Sequence, residues 1–110
     1  MVSESYQTFT TGAVQLNWTP PASGHWLAAT LNFTGGAAPT TAGSVDLIFK
    51  SKHGTAYDTK VYSVDPSSPA SVSLYLSPDV PFPVNQGDTI QLTYPNPDNL
   101  EVAVTIKGDL

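Results

Sequence analysis

Apolar and polar residues alternate with a period of two along most of this chain. Val14, Leu16 and Trp18 alternate with Gln15 and Asn17. From His25 to Phe33, Leu27, Ala29, Leu31 and Phe33 fall on one face and Trp26, Ala28, Thr30 and Asn32 on the other. Val45, Leu47 and Phe49 repeat the pattern over 44–50, and Val72, Leu74 and Leu76 repeat it further on. Ile90, Leu92 and Tyr94, then Leu100, Val102, Val104 and Ile106, form a last pair of runs. Successive strand side chains point to opposite faces, so each run predicts a β-strand with one buried face and one wet face.

Turn formers separate the runs. Pro20-Pro21 stops the first, and Gly35 to Gly43 is a loop of small residues. Lys52-His53-Gly54-Thr55 reads as a hairpin turn before a return strand over 57–64. Pro66-Ser67-Ser68-Pro69, Ser77-Pro78-Asp79, Gln86-Gly87-Asp88 and Pro95-Asn96-Pro97-Asp98-Asn99 punctuate the remainder. Val80-Pro81-Phe82-Pro83-Val84 is extended, and its prolines confine it to an edge or a connector.

Seven or eight strands with no helical periodicity predict an all-β fold. Two antiparallel sheets packed face to face, as a sandwich or jelly roll, are the expected architecture, with a closed barrel as the alternative. A chain of 110 residues makes one domain. It divides into an N-terminal arm or edge strand over 1–11, carrying Tyr6 and Phe9, and a β-sandwich domain over 12–110.

Charge narrows the partners. Nine acidic residues against four basic ones give a net charge of −5, and every basic residue is lysine. Phosphate backbones are met by basic stripes and arginine forks, so nucleic acid is not an expected partner. Only 12 % of residues are charged, about half the usual share, which leaves the surface to Ser, Thr, Asn and Gln. Cysteine is absent, removing disulfides, thiolate metal sites and cysteine nucleophiles. MVSESYQTFT has neither the basic nor the apolar segment of a signal peptide, and no run reaches membrane-spanning length. A protein made in the cytoplasm, without a membrane partner, is expected.

The candidate chemistry is sparse. His25 and His53 lie at a strand start and a turn tip, with no nucleophile frame around them. Asp58, Asp65, Asp79 and Asp98 sit where turns use aspartate, and Asp79, Asp88 and Asp98 form no contiguous calcium loop. The expectation is a non-enzyme without catalytic residues, cofactor or metal. Asn17-Trp18-Thr19 and Asn32-Phe33-Thr34 match the glycosylation sequon by chance of composition. The aromatic residues carry more: Trp18 at a strand end, and Trp26 opposite the Leu27 face, are candidates for core packing, a protein interface or a sugar platform. With Tyr6 and Phe9 they make up the candidate interface set.

One longer pattern stands out. Gly54-Thr55-Ala56-Tyr57-Asp58 opens a strand ending Ser63-Val64-Asp65; a Pro78-Asp79 connector, Gly87-Asp88 and Asn96-Pro97-Asp98 follow. Across 44–106 this resembles a group of small virion proteins of tailed bacteriophages, although Asn99-Leu100 stands where members place Gly or Trp. The resemblance implies a β-sandwich structural part of the virion, most simply a capsid decoration (cement) protein on the head exterior. Its partners would be the major capsid protein or another virion protein, and it would form a homo-oligomer. A tail or baseplate component and a carbohydrate-binding receptor-recognition module are the alternatives.

Overall fold

The computed structural model describes residues 3–80 and 82–110, with the side chains of Ser3, Glu4 and Tyr6 outside the described set. Nine strands form among these residues: β1 (Ser3–Thr10), β2 (Val14–Trp18), β3 (Gly24–Phe33), β4 (Val45–Lys50), β5 (Thr59–Val64), β6 (Ser73–Leu76), β7 (Phe82–Val84), β8 (Thr89–Tyr94) and β9 (Val102–Asp109). A single 3-10 turn, Thr55–Tyr57, lies between β4 and β5.

Pairing is nested. β1 pairs with β9, β2 with β8, β3 with both β6 and β7, and β4 with β5, all antiparallel. The chain is thus one long ribbon folded back on itself at the β4–β5 connection. Rolling that ribbon sends alternate pairs to opposite sheets, β1-β9-β3-β6 with β7 beside β3 in one and β2-β8-β4-β5 in the other. This is the jelly-roll form of the two-sheet sandwich. The sequence-based fold class is correct, and the closed barrel is not formed.

The core lies between the sheets. Val14, Trp18, Val45, Leu47, Ile90, Leu92 and Tyr94 meet Trp26, Ala29, Leu31, Phe33, Val102, Val104 and Ile106. Both tryptophans are fully buried, 0 % exposed. Each removes roughly 200 Å² of surface from water, an upper-bound contribution of about 5 kcal/mol. Trp18 needs a particular neighbour: a Cβ on Gly108 would stand 2.2 Å from its ring, so only glycine on β9 admits the indole there.

One facing expected from the sequence is corrected. Counting back in twos from Phe33 places Leu27 on the inward face of Leu31 and Phe33, and Trp26 on the opposite one, with core packing among the roles open to it. A β-bulge between Trp26 and Ala28 breaks that count. Trp26 pairs with Gly108 and Ala28 with Lys107, leaving Leu27 as the extra residue. One inserted residue reverses the facing of everything before it; Leu27 is therefore 37 % exposed while Trp26 enters the core. For 1–11 the sequence left an arm and an edge strand open; its described strand, Ser3–Thr10, is an edge strand in register with β9 from Ser3↔Asp109 to Thr10↔Val102.

Candidate functional site

The two sheets turn very different outer faces to solvent. On the β2-β8-β4-β5 sheet, one row across the strands reads Gln15, Thr93, Asp46 and Ser63, and the next reads Asn17, Gln91, Ile48 and Lys60. Asp46 organises them. Its Oδ1 accepts hydrogen bonds from Ser44 Oγ at 2.7 Å and Ser63 Oγ at 2.8 Å, and Lys60 Nζ lies 3.6 Å from Oδ2. The Ser44 hydrogen bond, against opposing desolvation and with help from Ser63 and Lys60, holds this carboxyl below the usual aspartate range. A shallow hollow of about 500 Å³ lies here, lined by Gln15, Ser44, Asp46, Thr93 and Pro95 among others.

The outer face of the β1-β9-β3-β6 sheet has no such network. Its rows read Gln7, Thr105, Thr30 and Tyr75, then Phe9, Ala103, Asn32 and Ser73. Lys107, in the row with Ser5 and Ala28, is the one exposed charged side chain at these strands' outward positions among the described residues. Phe9 is 61 % exposed and Tyr75 68 %. Leu27 adds to the same side, because the bulge throws it outward. With Lys107 as its one exposed charge at these positions among the described residues, the face is close to neutral and tipped with large apolar groups. A depression of about 370 Å³ lies over the β1–β9 ladder beside Phe9.

The candidate interface residues therefore separate. Phe9 is presented to solvent by β1, as an anchor requires. Tyr6 pairs with Ile106 through its backbone, and its side chain lies outside the described residues. Trp18 and Trp26 are withdrawn from the surface altogether; neither can stack on a sugar or anchor a partner in the folded chain. Trp26 instead meets Tyr62 and Phe82 edge to face, with centroids 6.2 and 6.1 Å away. Its Nε1 is buried without a hydrogen-bond partner. Tyr75, which the sequence reading passed over as an ordinary strand position, is the most exposed aromatic residue on the neutral face. Its signal was available: it is the polar-phase residue between Leu74 and Leu76, yet aromatic.

The turn aspartates are staples. Asp88 is buried, and its two carboxylate oxygens accept the backbone N–H groups of Lys52 at 2.9 Å and Asn85 at 3.1 Å. That ties the β7–β8 turn to the β4–β5 connection. Asp98 accepts the N–H groups of Thr40 and Thr41 and the Thr41 hydroxyl. Those bonds, the Thr41 hydroxyl foremost, hold its carboxyl below the usual range. Asp65 is held low in the same way by Ser67.

Asn96 completes the corner. Buried and with φ 50°, it donates from Nδ2 to the Gly12 and Leu100 carbonyls, and its Oδ1 accepts the Leu100 N–H at 3.1 Å. His25 Nδ1 lies 3.1 Å from Asp109 Oδ1 and closes the end of β9 onto β3. Among the described residues, no three His, Cys, Asp or Glu side chains gather as metal ligands. No protein-family model matches this chain, and no curated protein is significantly similar to it.

Proposed function

We propose that this chain is a non-enzymatic structural protein of a tailed-bacteriophage virion, a capsid decoration (cement) protein that seats on the outside of the head shell. One observation carries the reading: the neutral outer face of the β1-β9-β3-β6 sheet, with Phe9 and Tyr75 standing from it. Interface cores are depleted in charge and enriched in aromatic residues. The jelly roll, common among capsid proteins, lends support by analogy of fold. The pattern over 44–106 points to the same class. A net charge of −5 suits an outer layer held away from packaged DNA.

On this reading Phe9 and Tyr75 are anchors on strands at opposite sides of the sheet, and Thr30 and Thr105 between them, with Gln7 on the strand of Phe9, hydrogen-bond the shell. The Asp46 face looks outward to solvent. The test is whether the protein co-purifies with intact particles, and in how many copies. Hundreds of copies lost on replacing both Phe9 and Tyr75 with Ser support the shell site. A handful of copies indicate a tail or baseplate position. Absence from particles, with binding to a glycan array, transfers the protein to the receptor-recognition class.

A further inference from the structure

The sandwich has four strand edges, and three of them are guarded. β2 has five residues and runs into Pro20-Pro21. β5 carries Lys60 and a bulge against β4 between Leu47 and Ile48. On the far side of β3, β6 and β7 are four and three residues long, and Pro83 lies within β7. Short strands, lysine, proline and bulges are the devices by which sheets avoid pairing with other chains. β1 has no lysine, proline or bulge and is not short; Glu4 is the one charged residue in its sequence. It is eight residues long, SESYQTFT, in unbroken register with β9, and β9 is its one strand partner among the described residues.

We propose that the free edge of β1 is a self-association site, taking β1 of a second copy of this chain antiparallel across a two-fold axis. A second copy brings an identical unguarded edge, so each β1 supplies the unpaired backbone groups that the other lacks. Like net charge of −5 opposes the approach of two copies, and β1 has a single charged residue in its sequence, Glu4. A two-fold axis perpendicular to the sheet pairs outward positions with outward positions, so it passes through a residue and not between two. Centred on Gln7, the ladder runs from Glu4 to Thr10. It sets Glu4 against the partner's Thr10, away from the partner's Glu4, and lays Phe9 over the partner's Ser5. The β1-β9-β3-β6 sheet then continues through the axis, and its two neutral faces become one.

Size sets the strength. A strand of this length is about 27 Å long, and the edge is on the order of 15 Å thick, which gives roughly 400 Å² per copy. That is about half of a standard interface, so the dimer forms in a concentration-dependent way. The inference rests on β1 and not on the virion reading, and it is tested in solution without particles.

The chain contains no cysteine, so Gln7→Cys introduces a single thiol at the proposed axis. Mild oxidation should convert this variant to a disulfide-linked dimer, while Asn17→Cys on the guarded β2 edge stays monomeric. For the unaltered chain, sedimentation equilibrium over a concentration series should show a monomer–dimer equilibrium. Gln7→Lys, on an exposed outward position, should weaken that equilibrium on the order of tenfold; Ser5→Lys repeats the test should Gln7→Lys disturb folding. An unaltered chain that stays monomeric throughout the series, or equal cross-linking at positions 7 and 17, overturns the proposal.

Discussion

The two sheets, one of five strands and one of four, enclose a common core, yet their outer faces handle polarity in opposite ways. Across β2-β8-β4-β5, Ser44, Ser63 and Lys60 close around Asp46, so the polar groups there satisfy one another. Across β1-β9-β3-β6, the outward Gln7, Thr30, Asn32 and Thr105 side chains make no hydrogen bond among the described residues, and Phe9 and Tyr75 stand in water. A self-satisfied polar surface gains little from a partner, since its hydrogen bonds would only be exchanged. A neutral surface with exposed rings gains both burial and new hydrogen bonds. On the proposed reading, the first face is left to solvent and the second is the one that meets a partner.

The largest effect should come from crossing from the outside of one strand to its inside. Val104 is fully buried and Thr105, its neighbour on β9, faces outward. Val104→Asp should lose more than about 3 kcal/mol in urea unfolding, because an unpaired carboxylate enters the core. Thr105→Asp should stay within about 0.5 kcal/mol of the parent and yet abolish attachment to particles. Similar urea midpoints for the two variants would invalidate the facing on which the whole comparison stands.

Next in size is the corner that holds both faces in place. Asn96→Ala strands the Leu100 N–H and the Gly12 carbonyl and puts alanine at positive φ. A loss of about 2–3 kcal/mol is expected by thermal or urea unfolding. Asn96→Gly relieves the backbone but not the lost bonds and should recover about 1 kcal/mol of it. Equal losses for Ala and Gly would mean that the backbone conformation contributes nothing.

Acid should then separate the faces. Asp46 in the folded chain binds its proton more weakly than an ordinary aspartate, as do Asp65 and Asp98. Their stabilisation is complete above the usual aspartate range and disappears as pH falls through their lowered values. Asp46→Asn should flatten part of that decline in unfolding followed by circular dichroism. Substitutions on the neutral face, such as Tyr75→Ser, should leave the acid profile unchanged. A Tyr75→Ser profile displaced as far as that of Asp46→Asn would contradict the assignment.

The smallest effect expected is none. The carboxylate oxygens of Asp88 accept backbone N–H groups, and those of Asp98 accept the Thr40 and Thr41 N–H groups and the Thr41 hydroxyl, so calcium would have to compete with these bonds. Melting temperatures with and without a chelator should coincide; a drop of several degrees on chelation would show that these aspartates are ligands and not staples.

Much of the sandwich was legible in the residues themselves. Period-2 alternation placed Val14 to Trp18, Val45 to Phe49, Ile90 to Tyr94 and Val102 to Ile106 on strands with the observed inward faces, because side-chain direction in a strand depends on local geometry alone. Proline and glycine marked the turns for equally local reasons. Three things were decided only in the assembled structure. The bulge at Leu27 depends on how β3 meets β9, and it reversed the facing of Trp26. The edge role of Ser3–Thr10 depends on a partner strand almost a hundred residues away. The staples of Asp88, Asn96 and Asp98 depend on loops that the fold brings together. A chain's periodicity specifies which side of a strand is apolar; which strand lies beside it, and therefore which surface is left for a partner, is a long-range choice made by packing.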